Sequence, residues 1–191
     1  GKENAVGPFF RGDDADDVTA QVIESRRLMK RKLAALQAEA QAAAGAGATA
    51  GSVDMINIPS IPCFRMTRRL VGPFSLGERH MHTWFEDAVG LTGDWRKPGP
   101  VYAIPLRALI GAKNRNLAAA GRCMSSDRTV WDVTRVIPTC AVTGEAAGTA
   151  AAMAVAETTG DLQALPVKKL QEALTSQGVL LDPELVKPVA D

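Results

Sequence analysis

The sequence predicts an α/β fold, on three observations. Asn116–Ala120 is a short apolar run that stops at Gly121, as a strand does where a residue without Cβ lets the chain turn or approach a ligand. Thr139–Ala156 carries Gly144, Ala147, Gly148, Ala151 and Ala152, small residues whose spacings of three and four give a helix with one nearly bare face. Upstream, several short runs bounded by Gly and Pro have the look of strands, and a long helical pattern precedes them.

Taken in order, residues 1–12 (GKENAVGPFFRG) are punctuated by glycine and proline and open a lead-in that extends to residue 17. Asp16 or Asp17 is placed to cap the helix that follows. That helix runs from Val18 to Ala44, with Val22, Met29, Leu33, Leu36 and Ala40 on one face. Arg26, Arg27, Lys30, Arg31 and Lys32 stand beside them. No aromatic residue interleaves with these bases, so they read as a solvated face and not as a nucleic-acid surface. Gly45–Ser52 (GAGATAGS) is a connector of small residues.

Val53–Ile58 alternates roughly as a half-buried strand does, until Pro59 and Pro62 break it. In Arg65–Phe74, strand periodicity puts Arg65, Thr67 and Arg69 on one face and Met66, Arg68 and Leu70 on the other. Gly77–Trp84 reads as a short helix, Phe85–Thr92 as a strand, and Thr92–Pro100 as a loop. Val101–Ile104 is a strand ended by Pro105, and Leu106–Ile110 leads to a turn at Gly111–Arg115. A loop follows Gly121, carrying Arg122, Ser125, Ser126, Asp127 and Arg128. Beyond the small-residue helix, Val167–Gln177 has Leu170 and Leu174 on one face and Gly178 at its stop, as a surface helix does. Residues 182–191 form a tail interrupted by Pro183 and Pro188.

Composition narrows the chemistry. A length of 191 residues holds one domain or parts of two, and 46% hydrophobic residues is enough for a core. With 22 basic against 21 acidic residues the net charge is +1, so no global field argues for nucleic acid or a membrane surface. No apolar stretch reaches the roughly 18–20 residues of a membrane span. Cys63, Cys123 and Cys140 form no CxxC pair, which argues against disulfide-reductase chemistry and for buried, reduced thiols in a cytoplasmic protein. His80 and His82 have no third ligand nearby, so no metal site is expected. No Ser–His–Asp order and no paired carboxylates stand at suggestive spacing, which leaves the reaction to a cofactor.

Three blocks point to a family. NLAAAGRC (116–123), TRVIPTC (134–140) and TGEAAGTAAA (143–152), in this order, resemble the C-terminal end of FAD-dependent oxidoreductases of the glutathione-reductase-like fold. More narrowly, they resemble a subfamily that ends in AGRC…RVxPTC…GxAAGTAAA. PCFRMTRRLVGPF (62–74), FEDAVGLTGDW (85–95) and VYAIPLRALI (101–110) are similar to the segments before that signature, and PVKKLQEALTSQGVLL (166–181) to the helix after it. The resemblance spans residues 15–181.

The resemblance implies an FAD cofactor and hydride transfer from a small organic substrate to the flavin. Gly121 and Arg122 would meet the pyrophosphate and ribityl chain. Thr143, Gly144 and Glu145 would open a helix whose N–H groups face the pyrimidine end of the flavin. Arg135 would hold a phosphate or the substrate. Arg65, Arg68, Arg69 and Trp95 are the substrate candidates, although a structural ion pair is the ordinary fate of such arginines. Relatives of the wider fold often carry an acid where Arg122 stands. The loop MSSDRTVWDV (124–133) also departs from the subfamily, which puts a shared substrate in doubt.

The family opens with a strand–turn–helix fingerprint, G-x-G-x-x-G, and no such string occurs in these residues. Gly45-Ala46-Gly47 follows a helical run and does not replace it. The expectation is therefore the C-terminal portion of a longer flavoprotein, lacking the N-terminal Rossmann βαβ unit. Residues 18–110 would be an α+β cap and substrate region, and 111–181 the C-terminal part of the FAD domain. The N-terminal FAD-binding half would be its partner, and FAD would bind weakly or not at all without it. Edges left uncovered would favour a homo-oligomer. The alternative is a non-catalytic fragment, an interaction or scaffold protein that keeps the fold without flavin.

Overall fold

A computed structural model describes residues 9–44 and 53–188. Readings placed on residues 1–8, on the 45–52 connector and on 189–191 lie outside the described residues. The chain divides into two compact units between Thr67 and Arg68.

In the first unit, α1 spans Ala15–Ala44, 30 residues with none buried. It starts three residues before Val18, because Asp14 and not Asp16 or Asp17 caps it. The Asp14 carboxylate accepts the backbone N–H of Asp16 and of Asp17, each at 3.0 Å. Without burial, α1 rests on local preference: Ala, Leu, Lys, Arg and Gln, the strongest helix formers, fill its C-terminal half. The strand predicted at Val53–Ile58 does not form. That segment pairs with no strand among the described residues, and Gln37 donates to the Val53 carbonyl at 2.9 Å. Gly12 is held close to the end of the unit. A methyl there would lie 2.3 Å from Cγ2 of Thr67 and 2.6 Å from a ring carbon of Phe64.

The second unit is built on two antiparallel strands, β1 (Ala88–Gly93) and β2 (Val101–Pro105), in the register Leu91↔Ala103 and Thr92↔Tyr102. Three helices complete it: α2 (Arg128–Thr134), α3 (Ile137–Glu157) and α4 (Val167–Ser176). α3 crosses β1 closely because Gly90 has no side chain; a methyl there would fall 2.1 Å from Cγ1 of Val142. One continuous core joins Leu76, Val89, Ile104, Leu109, Ala146, Ala150, Leu170 and Leu174. Residues on both sides of position 110 therefore share it. Burying a leucine such as Leu170 or Leu174 contributes about 1.5–3 kcal/mol. α4 stops as its sequence predicts: Gly178 takes φ +97°, and the Val179 N–H bonds back to the Leu174 carbonyl at 3.0 Å.

The mixed helix-and-strand class is borne out, with a sheet of two strands among the described residues. Four local readings are corrected. The Arg65–Phe74 strand is absent, and the division between the units falls inside it. Its downstream part instead bonds singly to other segments, Leu70 N–H to the Cys123 carbonyl at 2.7 Å and Phe74 N–H to the Arg107 carbonyl at 3.3 Å. Gly77–Trp84 shortens to a 3-10 turn at Glu78–His80. Asn116–Ala120 makes an isolated bridge, Ile110↔Ala118, because the chain folds straight back on residues 109–111. The tail is anchored as well as superficial. Val186 is buried against Ala88 and Ala103, and its carbonyl lies 2.7 Å from Nδ1 of His82. Among the described residues, no helix is long and apolar enough to cross a membrane.

Candidate functional site

The signature residues meet where α2 turns into α3. Asp127 caps α2, accepting the Val130 N–H at 2.8 Å through one oxygen and the Glu78 N–H at 3.2 Å through the other. α2 then buries Val130, Trp131, Val133 and Thr134. The Trp131 indole N–H donates to the Arg122 carbonyl at 2.5 Å, and the Arg69 guanidinium lies 5.9 Å from the centre of the indole ring. The 3-10 turn Gly121–Cys123 is thereby fixed from the α2 side.

A chain of hydroxyls fixes the same turn from the α3 side. The Thr92 and Thr139 hydroxyls are 2.6 Å apart and join β1 to the first turn of α3. Thr143, fully buried, donates its hydroxyl to the Thr139 carbonyl at 2.8 Å and accepts the Gly121 N–H at 2.8 Å. Gly121 sits at φ +71°, a conformation that favours glycine.

The predicted helix start is corrected by two residues, with consequences for the site. α3 begins at Ile137, not Thr139. Thr143, Gly144 and Glu145 therefore lie about two turns inside it, where backbone N–H groups are spent on the helix's own ladder. The amides outside the ladder are instead those of Ile137 and Thr139, and Thr139 is buried. Val136, the cap residue, offers no side-chain acceptor, and among the described residues neither amide has one. Ile137 itself is 81% exposed.

The remaining candidates separate. Arg122 is exposed and makes no ion pair among the described residues. Arg135 is committed: its guanidinium holds Asp132 through Nε at 2.9 Å and through a second, shorter contact. Gly144 and Glu145 are exposed, and a methyl at Gly144 or Gly148 would meet nothing within 4 Å. Trp95, 58% exposed, reaches α2 through its indole N–H, which donates to the Asp132 carbonyl at 3.0 Å. Arg68 and Arg69 are exposed in the second unit, whereas Arg65 belongs to the first, its Nε 3.4 Å from the Cys63 sulfur.

A family model of FAD dependent oxidoreductases matches residues 4–174. The chain belongs to the FAD dependent oxidoreductase family. No curated protein and no solved structure gives a significant match. The family implies FAD as the cofactor, and the corner fits one side of such a group on two counts. The uncapped amide of the exposed Ile137 offers a donor at the positive end of the helix dipole. The open strip at Gly144 and Gly148 leaves room for a flat group along α3.

Several features of this oxidoreductase escaped the sequence reading. Asp94 is 5% exposed and gripped by Arg96 at both oxygens, each at 2.8 Å, while Arg96 also reaches the Thr129 carbonyl at 3.3 Å. The guanidinium holds the Asp94 carboxyl below its ordinary range. An acid and a base two residues apart at a strand end were the available signal. The Tyr102 and Ser126 hydroxyls are buried without a partner among the described residues, and burial pushes the tyrosine's pKa up. No sequence pattern marks such orphans. The cysteines are not the buried thiols expected: all three are free, Cys63 and Cys123 are exposed, and Cys140 is partly so.

Proposed function

We propose that the α2–α3 corner supplies one side of the FAD site of an oxidoreductase that takes hydride from a small organic substrate. The carrying observation is the Gly121–Cys123 turn, pinned by Thr143 and Trp131, with Arg122 exposed and, among the described residues, without an ion pair. In this reading Arg122 bonds a cofactor phosphate, and the Ile137 amide at the start of α3 holds an electron-rich edge of the ring. Thr143 does not touch the cofactor but sets the Gly121 backbone. Arg135, neutralised by Asp132, orients the end of α2 and is a weaker phosphate candidate. Arg69 on Trp131, with Trp95 of the 94–100 loop bonded to the Asp132 carbonyl of the same helix, is the substrate-facing set we favour. Bound FAD supplies the two-electron chemistry; the chain's residues bind and orient.

The adenosine side of the site has no counterpart motif in these 191 residues, and we assign it to an FAD-binding half that partners them. In its absence the apolar face of α3, with Ile137 and Val155 each at least three-quarters exposed, is where copies of the chain would associate.

The test is flavin titration of two variants in the protein together with that half. Gly144→Val adds a side chain into open space, so the fold should survive while FAD is lost. Arg122→Ala should weaken FAD by about 1.5–3 kcal/mol, the worth of a charge-assisted bond. Unchanged affinity in both variants would overturn the site.

A further inference from the structure

We infer that Cys123 and Cys140 form a reversible disulfide, a modification site at the corner that holds the Gly121 turn to α3. The geometry is independent of any cofactor. The Gly121–Cys123 turn rests on the first turns of α3 through the Gly121–Thr143 bond, and a methyl at Gly121 would touch the Cys140 sulfur at 3.4 Å. Cys123 stands at the other end of that single turn, whose rise is about 2 Å per residue. Its thiol donates to the Ala120 carbonyl at 3.5 Å, back along the turn whose Gly121 faces the Cys140 sulfur, and Cys123 is among the groups that act on Cys140 electrostatically. A disulfide requires Cα atoms about 4.4–6.8 Å apart, so Cys123 must meet Cys140 across this turn.

The two thiols are unequal, and that sets the order of reaction. Cys123 is exposed, whereas Cys140 is half-buried, its thiol bonded to the Arg135 carbonyl at 3.6 Å. Burial pushes the Cys140 pKa up, with the Arg122 guanidinium pulling the other way. Cys123 is therefore the thiol a hydroperoxide meets first: its sulfur takes the peroxide oxygen as the O–O bond breaks, leaving a sulfenic acid and releasing water or an alcohol. Cys140 then attacks that sulfur. The S–S bond forms, hydroxide leaves from Cys123 and, with the proton from Cys140, departs as water. Two thiols are oxidised and one peroxide is reduced. The Arg122 guanidinium, next to Cys123 in the chain, favours the Cys140 thiolate.

The experiment treats the whole chain with hydrogen peroxide, blocks remaining thiols with N-ethylmaleimide, and maps tryptic peptides by mass spectrometry. Peptide 123–128 should appear joined to peptide 136–168, two hydrogens lighter than their sum, and dithiothreitol should separate them. Cys63 should remain alkylated. In Cys123→Ser, Cys140 should lose its thiol about tenfold more slowly at the same peroxide dose, the difference expected between a partly buried and an exposed thiol. In Cys140→Ser, Cys123 should stop at the sulfenic acid or pass to the sulfinic acid. Circular dichroism establishes that both variants fold. Separate oxidation of Cys123 and Cys140 without the joined peptide, a bridge to Cys63 in its place, or unchanged Cys140 oxidation in Cys123→Ser would overturn the assignment.

Discussion

At the scale of single residues, two titratable groups decide how stability depends on pH. Asp94 is buried against Arg96 and its pKa is lowered. Its contribution is present above the unfolded value of about 3.9 and is lost as pH falls through the folded value. Asp94→Asn keeps the shape but leaves Arg96 without its anion. It should cost about 3 kcal/mol in urea unfolding at neutral pH and flatten the acid limb of the stability curve. His80 works in the opposite range. Its Nδ1 accepts the Gly77 N–H at 2.9 Å and its Nε2 faces the Arg79 Nε–H at 3.2 Å, donors on both sides that oppose a second proton on the ring. Burial, followed by the nearby Arg79, lowers its pKa. The folded state therefore binds fewer protons than the unfolded one below about pH 6.5, and stability falls as pH drops through that point toward the folded pKa. His80→Phe keeps the ring contacts with Phe74 and Phe85, and its Tm should change less between pH 8 and pH 5 than that of the parent.

At the scale of elements, the corner depends on contacts far apart in the chain. Thr143→Val removes the acceptor of the Gly121 N–H and should cost about 1–3 kcal/mol, the penalty for a polar group left unsatisfied. Gly121→Ala forces a side chain into the left-handed region and against the Cys140 sulfur, and should cost about 1–2 kcal/mol. Chemical denaturation checks both, and a loss below 0.5 kcal/mol in each, about the scale of ordinary surface changes, would show the turn is not held this way. α2 was legible and went unread: Asp127 is a cap residue, and Val130, Trp131, Val133 and Thr134 follow at helical spacing. The strands at 53–58, 65–74 and 116–120 were over-read, since an apolar or alternating run becomes a strand only beside another strand.

At the scale of the whole molecule, the two units differ in what holds them. α1 has no buried residue, whereas β1, β2, α3 and α4 enclose a continuous core. Native-state hydrogen exchange should find the α1 amides freely exchanging while those of Ala103, Ala146 and Leu170 stay protected, the local stabilities tracking burial. Equal protection in α1 and in that core would contradict it.

The sequence by itself determined α1, α3 and α4, β1 and β2 and the glycine stop at Gly178 to within a few residues, together with the family signature. Helix preference, caps and short-range periodicity are properties of neighbouring residues. Only the tertiary structure decided which arginines are spent and which are exposed. It alone brought Thr143 to Gly121 and Trp131 to Arg122, set Asp94 under Arg96, and laid Cys140 against the glycine of the turn that carries Cys123. Those pairings follow from how α3 crosses β1 and how the chain folds back at residues 109–123. Contacts across such distances depend on the whole packed arrangement, which no short window of sequence contains.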